Sequence, residues 1–339
     1  MPVIKANAYG HGLAEVARAA FQGGAAICGV ARTEEAFRIR RKGIRGKILV
    51  LGGAMPEHVP FVLSEDVSIS LTDPETAKGV SAEAVRLKGK VHVHAKVDTG
   101  MNRLGVPVEK GLDFLKLLNN LPGLQVDGLF THFARADELN TGTTENQLMR
   151  FTGFLDEVRL AGLTPSVVHS ANSAASLYFP AARFDMVRPG IALFGINPAP
   201  EAPLPEGFSP VLQWKTRLIS VKTIPPGNGI SYGHRYTTTQ VEKVGVIAVG
   251  YADGFRRMDG NRVLIRGRYA PVIGSICMDQ CVVSLDDIPD ATLGDEVVLI
   301  GSQNENHISA QTIAEKWGTI AYEVVCGLTA RLPRIYKDE

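Results

Sequence analysis

Short apolar runs alternate with amphipathic segments over the first 195 residues of the chain. The apolar runs predict strands at 26–30, 47–51, 68–71, 91–97, 126–130, 166–169 and 186–187, the last leading to 191–195. Helical patterns lie between them, for example at 34–42, 74–88 and 144–160. Repeated strand–helix units predict a parallel sheet, and about eight of them predict an α/β fold closed as a (β/α)8, TIM-like barrel. An open, doubly wound sheet is the alternative, although no G-x-G-x-x-G sequence follows the early strands.

The pattern changes after residue 196. Five prolines at positions 198, 200, 203, 205 and 210 predict a linker. Beyond it, runs at 211–224, 244–249, 262–265, 270–285 and 296–300 predict a mostly antiparallel β domain, with one helix at 309–317. We therefore place a barrel domain at 1–200 and a C-terminal β domain at 201–339.

Two helix starts carry capping signals. Thr144 and Gln147 have the spacing of a capping box, in which each side chain would satisfy a backbone N–H at the start of the 144–160 helix. Ser309 stands where an N-cap of the 309–317 helix would stand, and its hydroxyl suits that position.

Composition narrows the choice of partners. Lys and Arg number 36 against 35 Asp and Glu, so the net charge of +1 gives no support for binding to nucleic acid or to a membrane surface. No apolar run approaches the ~18 residues that span a bilayer, and no charged-then-apolar leader opens the sequence. Four cysteines are scattered at 28, 277, 281 and 326, which predicts core thiols and no metal site. We expect a cytoplasmic protein.

Lys5 ends the apolar run 2–4 and is followed by small residues that lead into a helical stretch at 13–21. The carboxyl end of a barrel strand is where catalytic groups sit. By spacing alone, a surface lysine on a strand–helix turn is the commoner interpretation. The residues around Lys5 decide between the two.

The sequence Pro-Val-Ile-Lys-Ala-Asn-Ala-Tyr-Gly-His-Gly around Lys5 resembles the pyridoxal-phosphate lysine motif of the alanine racemases, which are fold type III enzymes. Further segments match that family in its order, and they begin at Lys96, Thr131, His169, Arg188, Ile230, Gly250, Cys277 and Tyr322. The resemblance covers nearly the whole chain. Family members carry a further strand and helix before the lysine motif. We expect this chain to lack them, which would leave the barrel N-terminally incomplete and the isolated form aggregation-prone or weakly active.

The resemblance implies a two-base racemisation of L-alanine and D-alanine with pyridoxal 5'-phosphate. Lys5 would hold the cofactor as a Schiff base and act as the base on one face of the substrate. Tyr232 of the partner subunit would act on the opposite face, in a homodimer with shared active sites. A phenol of pKa ≈ 10 needs a cationic setting to serve as a base. The implied product, D-alanine, supplies peptidoglycan synthesis.

The same resemblance implies which residues hold the cofactor. Arg188 would face the pyridine nitrogen and leave it unprotonated, because a guanidinium does not readily release a proton. His169 would hydrogen-bond Arg188, and His132 would stack on the ring. The residues implied for the phosphate are Tyr9, Ser173, Gly190, Ile191 and Tyr322.

Four more residues are implied for the substrate side of the site. Arg103, together with the backbone of Met278 of the partner subunit, would bind the substrate carboxylate. Tyr251 would narrow the pocket to a side chain of methyl size. Lys96 corresponds to a lysine that is carbamylated in some family members, and either a carbamate or a chloride ion would relieve its nearness to like charge.

Alternatives remain open at this point. A broader-specificity amino-acid racemase would share the motifs, but such enzymes are typically exported and disulfide-bearing. Decarboxylases of basic amino acids share the two-domain plan, but they place an acidic residue where this chain has Arg188. A pyridoxal-phosphate-binding protein without activity could be a single-domain barrel, which the predicted β domain disfavours, or a truncated, inactive racemase.

Overall fold

The computed structural model describes residues 1–337 of the chain, which form two compact units. The first runs from Met1 to Ser209, and the second starts at Pro210. The division therefore lies inside the proline-rich segment, a little beyond the position 200 expected from the sequence. Within residues 1–337, none of the helices has the length and apolar character that crossing a bilayer requires.

The first unit is built on a parallel sheet. Its strands are β1 (Ile27–Val30), β2 (Lys47–Val50), β3 (Val67–Leu71), β4 (Val91–Asp98), β5 (Val106–Pro107), β6 (Leu124–Phe130) and β7 (Val167–His169). They pair in the order β1-β2-β3-β4-β6-β7, and the short β5 pairs with the end of β4. Most residues of the first four strands are buried, as expected for parallel strands covered on both faces.

Helices connect these strands. They are α1 (Lys5–Tyr9), α2 (Leu13–Gln22), α3 (Thr33–Arg41), α4 (Val59–Ser64), α5 (Pro74–Arg86), α6 (Gly111–Asn120), α7 (Thr143–Leu160) and α8 (Ser173–Tyr178). Each longer helix buries one apolar stripe: α6, for example, buries Phe114, Leu115 and Leu118 and leaves its polar residues outside. The helices predicted at 34–42 and 74–88 correspond to α3 and α5 with small differences at their ends.

The sheet closes through hydrogen bonds outside the regular strands. Val3 forms a parallel bridge with Gly29 of β1. On its other side, the Val3 N–H donates to the carbonyl of Pro189 at 2.8 Å, and the Arg188 N–H donates to the carbonyl of Ala171 at 2.8 Å, just after β7. Residues 188–189 thus connect β7 to the segment of Val3. With this link the parallel sheet curls round on itself in the manner of the predicted (β/α)8 barrel.

The prediction of a regular strand at 186–187 and 191–195 is wrong. Pro189 has no N–H to donate to a neighbouring strand, so the ladder is interrupted there. The chain then turns, and Ile191–Phe194 forms a 3₁₀ turn that ends at Gly195 with φ of 67°. The last segment of the barrel is therefore held by single hydrogen bonds.

The capping box predicted from Thr144 and Gln147 is also wrong. Helix α7 has Gly142 as its N-cap, and no side chain caps it. The Gln147 side chain instead reaches the loop after β6, where its Oε1 accepts from the Ala134 N–H at 2.8 Å and its Nε2 donates to the His132 carbonyl at 3.2 Å. A tertiary contact has replaced the local one.

The second unit is an antiparallel β barrel. Its elements are β8 (Trp214–Ile224), β9 (Gly229–Ile230), β10 (Tyr236–Thr237), β11 (Glu242–Ile247), β12 (Arg262–Ile265), β13 (Arg268–Ile273), β14 (Cys281–Ser284), β15 (Glu296–Gln303), β16 (Asn306–Ile308), α9 (Ala310–Trp317) and α10 (Ala321–Cys326). The strand order β12-β13-β14-β11-β8-β15 is closed by pairing of β15 with β12. Ser309 caps α9 as predicted, since its Oγ accepts from the Thr312 N–H at 2.9 Å. The predicted run 270–285 is in fact two strands with a loop at 274–280 between them.

Candidate active site

Lys5 is the first residue of α1 and closely follows the barrel segment of Val3. The four residues after Lys5 have φ between 52° and 56°, in the left-handed region. An L-residue in this conformation costs roughly 1–2 kcal/mol, a cost that glycine escapes. None of residues 6–9 is glycine, so this is a strained turn that the surrounding structure must hold, as is common at functional sites.

Side-chain contacts fix the end of this left-handed turn. Asn7 Oδ1 accepts from the Leu13 N–H at 2.9 Å, at the start of α2. His11 Nδ1 lies 3.0 Å from the Ala8 carbonyl oxygen and 2.9 Å from that of Tyr9. Because carbonyls only accept, Nδ1 of His11 carries the ring proton. The turn therefore has one conformation, with Lys5 at its beginning and Tyr9 at its end.

Arg188 is buried in the first unit, with 3% of its surface exposed. Its guanidinium lies 3.0 Å from Nδ1 of both His169 and His132, and it donates to the carbonyls of Thr131 at 2.9 Å and Ser170 at 2.8 Å. No carboxylate pairs with it among residues 1–337. Burial lowers the pKa of Arg188 to about 9, so the group is still a cation at neutral pH.

The histidines next to Arg188 are neutral. Because a guanidinium only donates, Nδ1 of His169 and Nδ1 of His132 accept, and each ring carries its proton on Nε2. The Nε2 of His169 then donates to Nδ1 of His94 at 2.9 Å. Burial and the charge of Arg188 hold the pKa of His169 and of His132 well below the usual range, and burial lowers that of His94 to about 4. The hydrogen bond expected between His169 and Arg188 is thus present, and it extends one residue further.

Cationic side chains converge on His132. After burial, the charges that lower the pKa of His132 are, in order, those of Arg188, Lys96, Arg103 and Lys5. The structure therefore brings together five residues that the sequence proposed for one site. Such a concentration of positive charge suits an anionic cofactor and an anionic substrate.

Lys96 is buried near the end of β4, where its Nζ lies 5.3 Å from the centre of the Phe130 ring. Burial, followed by the charges of Arg188 and Arg103, lowers its pKa to about 8. Arg103 is exposed and lines an open pocket of about 470 Å³ together with Asp98, Asn102, Glu109 and Arg150. The pocket lies beside the cationic cluster because Arg103 belongs to both.

Tyr9, Ser173 and Gly190 meet at one point of the first unit. A Cβ on Gly190 would lie 2.2 Å from the Tyr9 hydroxyl oxygen, so glycine is required for the phenol to approach the backbone here. Ser173 Oγ accepts from the Gly190 N–H at 2.8 Å and from the Ala192 N–H at 3.4 Å. Ile191 follows, buried at the start of the 3₁₀ turn. Hydroxyl donors around a small residue fit a phosphate group.

Tyr251 and Met278 lie together on the second unit. The Tyr251 N–H donates to the Cys277 carbonyl at 3.0 Å, and the Ala252 N–H donates to the Met278 carbonyl at 3.1 Å. A Cβ on Gly250 would lie 2.3 Å from the carbonyl oxygens of both Cys277 and Met278. The close approach of these two loops therefore depends on glycine.

Tyr232 joins the same cluster through its backbone. Ser275 Oγ donates to the Tyr232 carbonyl at 2.8 Å, and Ser231 Oγ donates to the Ser275 carbonyl at 2.6 Å. Ser231 has φ of 62°, so this turn is also strained. The exposed fractions are 74% for Tyr232, 52% for Met278 and 45% for Tyr251, which is unusual for three large side chains in contact with one another's loops.

Tyr322 is the member of the expected phosphate group that the first unit does not contain. It lies in α10 of the second unit and is half-buried there. A role for Tyr322 at the phosphate stays a prediction.

Sequence reasoning missed two residues that support the site. His94 continues the hydrogen bonds of Arg188 and His169, and its signal was a polar position inside the otherwise buried β4. Gln147 fixes the loop that carries His132, and it lies on the buried side of α7 with Phe151 and Phe154. In both cases a polar side chain stands at a position that the periodicity assigns to the core.

These groups fit pyridoxal phosphate and offer nothing to a metal. Among the residues that the structure describes, no cluster of three or more His, Cys, Asp or Glu could hold a metal ion. With this cofactor bound, Lys5 would supply an amine for the aldehyde, Arg188 a donor for the pyridine nitrogen, and Tyr9 with Ser173 donors for the phosphate. A barrel with these groups followed by an antiparallel β barrel defines a barrel-type pyridoxal-phosphate enzyme.

Comparison with known proteins gives the family. The model of the alanine racemase N-terminal domain matches residues 1–198, and that of the alanine racemase C-terminal domain matches residues 211–336. The chain belongs to the alanine racemase family.

Relatives and solved structures agree with this assignment. The chain is 42% identical to the alanine racemase of Halothermothrix orenii and 45% identical to that of Symbiobacterium thermophilum, covering 100% of this chain and 90% of each relative. The structure of Bacillus anthracis alanine racemase with bound L-Ala-P is 37% identical, with a TM-score of 0.94 over 99% of this chain and 88% of that one. Clostridium difficile alanine racemase in complex with cycloserine is 36% identical, with a TM-score of 0.90 over 98% and 86%.

Proposed function

We propose that this protein is a pyridoxal-phosphate-dependent alanine racemase that interconverts L-alanine and D-alanine and so supplies D-alanine for peptidoglycan. The observation that carries the reaction type is the carboxylate-free environment of the buried Arg188. Bound pyridoxal phosphate delocalises the electron pair left at Cα when the proton is removed. Arg188 limits this delocalisation, because it can donate to the ring nitrogen but does not readily protonate it. Racemisation is thereby favoured over transamination.

Lys5 and Tyr232 divide the proton transfers in this proposal. Lys5 holds the cofactor through its amine and moves a proton at Cα on one face. Tyr232 of the partner subunit moves a proton on the other face. Positioned acid–base groups of this kind contribute about 10²–10⁴-fold each to a rate. Tyr251 and Met278 share the cluster of Tyr232, which supports their assignment to the substrate side of the same site.

We also propose a homodimer, which the exposure of this cluster supports. Tyr232 is 74% exposed although the backbone around it is strained and fixed by Ser275. A precisely held but exposed catalytic side chain is explained if a second copy of the chain covers it. We place the dimer in the cytoplasm, which is supported by the thiol state of Cys28, Cys277 and Cys281.

Lys96 is proposed to be carbamylated. Because its pKa is lowered to about 8, a substantial fraction is the neutral amine that can attack CO₂. The N–C bond forms, the amine proton leaves to solvent, and a cation becomes an anion between Arg103 and Arg188. A bound chloride ion is the alternative. Carbonyl NMR of protein equilibrated with ¹³CO₂ separates the two, since only the carbamate gives a signal that Lys96→Met removes.

The function is tested by reconstitution. Pyridoxal phosphate is added, the protein is reduced with borohydride, and tryptic peptides are analysed by mass spectrometry for the labelled lysine. We expect Lys5 alone to be labelled, and alanine of either hand to lose optical activity when incubated with the unreduced enzyme. Label on another lysine would remove Lys5 from its role. Faster racemisation of lysine or arginine than of alanine would favour a broad-specificity racemase.

A further inference from the structure

The left-handed turn after Lys5 needs an anchor at its first residue. Residues 6–9 all have φ above 50° and none is glycine. Asn7 and His11 fix the later part of the turn, as described above. The first peptide, between Lys5 and Ala6, sets the direction of the lysine side chain and is not reached by either contact.

Glu35 reaches that peptide. Its Oε1 accepts from the Ala6 N–H at 2.6 Å, a short hydrogen bond of the kind that a charged acceptor makes. Its Oε2 accepts from the N–H groups of Ala31 at 2.8 Å and Arg32 at 3.3 Å, where the chain leaves β1 and enters α3. One carboxylate therefore connects the residue after Lys5 to the neighbouring strand–helix unit of the barrel.

We propose that Glu35 is a positioning residue for Lys5. Its carboxylate holds the Ala6 peptide in the left-handed conformation and thereby aims the Lys5 amine at the site. This inference rests on the proposed role of Lys5 in the function above. Glu35 itself is placed by α3 and touches neither the cationic cluster nor the Tyr9–Ser173–Gly190 group through any hydrogen bond found among residues 1–337.

The chemistry requires a carboxylate. Both oxygens of Glu35 accept, one on each side of the bridge, and every partner is a backbone N–H donor. A glutamine has one acceptor oxygen, which the two donors of Ala31 and Arg32 would hold, so its NH₂ group would face the Ala6 N–H and that hydrogen bond would be lost. Helix capping alone needs only the Ala31–Arg32 side, so the bond to Ala6 is what distinguishes a positioning role from a cap.

Glu35→Gln is the test, with Glu34→Gln as its matched control. Glu34 is the adjacent carboxylate in the first turn of α3, is exposed, and has no hydrogen bond or ion pair within the described chain. In the cofactor-free proteins, hydrogen exchange of the peptide containing residues 6–9 is measured by mass spectrometry. We expect Glu35→Gln to accelerate exchange there by about tenfold or more, the loss expected for a charge-assisted hydrogen bond. Glu34→Gln should match the parent protein.

The second readout is the rate at which pyridoxal phosphate and borohydride label Lys5. Glu35→Gln should slow this labelling by roughly tenfold, and adding Ala6→Gly should restore it to the rate of Ala6→Gly alone. Glycine adopts positive φ without strain, so it removes the need for the anchor. A glycine at residue 6 would not repair a lost helix cap. If Glu35→Gln does not fold, Glu35→Asp keeps the charge, is one methylene too short for the bridge, and carries the same expectations.

The result that overturns the proposal is a Glu35→Gln protein with parent-like exchange at 6–9, or one whose labelling rate is not rescued by Ala6→Gly. Failure of the proposed function is a separate result, because the parent protein itself would then not be labelled at Lys5. The hydrogen-exchange measurement needs no cofactor, so it tests the role of Glu35 whether or not the proposed function is correct.

Discussion

The two units carry their functional residues in opposite ways. In the first unit, Arg188, His169 and His94 are buried and joined by hydrogen bonds that satisfy their polar atoms from within the same unit. In the second unit, Tyr232 and Met278 stand more than half exposed on loops that are fixed in backbone but open in side chain. The functional residues of the first unit are packed inside it, whereas those of the second unit lie on its surface. That difference supports a site completed by a second copy of the chain.

The buried network is expensive to disturb and therefore reports on stability as well as activity. A buried polar group that loses its partner costs about 1–3 kcal/mol. An exposed side chain away from such networks is usually neutral to stability within about 0.5 kcal/mol. Substitutions in the two regions should thus separate into those that change both folding and catalysis and those that change catalysis alone.

The largest effect is expected from Lys5→Ala. Loss of the amine removes both the attachment of the cofactor and one acid–base group, so activity should fall by on the order of 10⁴-fold or more. Racemisation is followed by polarimetry with added pyridoxal phosphate. Lys90→Ala removes an exposed lysine of the same unit and serves as the control. Activity of Lys5→Ala within a factor of ten of the parent would contradict the assignment.

Tyr232→Phe should lower activity by about 10²–10⁴-fold while leaving stability unchanged within about 0.5 kcal/mol. Deuterium uptake at Cα is measured separately for L-alanine and D-alanine. We expect exchange to be lost for one enantiomer and retained for the other, since the two bases serve opposite faces. Equal losses in the two directions would instead indicate a single base.

Unlike Tyr232→Phe, Arg188→Lys should clearly lower the free energy of unfolding. The lysine keeps the positive charge but cannot serve all four acceptors, and the carbonyls of Thr131 and Ser170 compete for fewer donors. Each carbonyl left without a partner costs about 1–3 kcal/mol, which urea unfolding of the cofactor-free protein detects. If Arg188→Lys is as stable as Tyr232→Phe, the contrast between the two regions fails.

A pH dependence is expected from Lys96 as the free amine, measured in buffer kept free of CO₂ so that the proposed carbamate does not form. Its pKa is about 8 in the folded protein, against about 10.4 in an unfolded chain. Between these values the unfolded state binds more protons, so the penalty of burying Lys96 is fully present below pH 8 and is relieved as the pH rises toward 10. The stability difference between the parent and Lys96→Met should shift in favour of the parent by up to about 3 kcal/mol over that window. Curves of urea unfolding free energy that stay parallel from pH 7 to pH 10 would show that Lys96 is not so perturbed.

The fold was largely predictable because the spacing of apolar residues along the chain indicates its strands and helices. The exceptions have local causes. Apart from the two-residue β5, which was not predicted, the strands from β1 to β7 follow apolar runs that a parallel sheet requires on both faces. The last barrel segment was mispredicted because Pro189 removes one donor from its ladder. The run 270–285 was mispredicted as one strand because the loop at 274–280 has the apolar residues Ile276, Cys277 and Met278 at its centre. Thr144 and Gln147 have the spacing of a local cap, but Gln147 binds the His132 loop instead.

The sequence was enough to name most of the candidate site residues, but it did not predict their conformations or contacts. Motif resemblance named Lys5, but of the four left-handed residues that follow it only Asn7 is of a type that favours this conformation. Glu35 lies in an ordinary helix start, and its partner Ala6 is 29 positions away in sequence, so the contact depends on the tertiary fold. His94 needed the structure for the same reason.

The central claim, that each site combines Lys5 of one chain with Tyr232 of another, is tested most directly by mixing two inactive variants. Lys5→Ala and Tyr232→Phe proteins are unfolded together, refolded and assayed for alanine racemisation. Half of randomly formed dimers contain one chain of each kind, and half of their sites are intact, so about one quarter of the parent activity should return. If the mixture stays as inactive as its two components while forming mixed dimers, the two residues act within one chain and the account is contradicted.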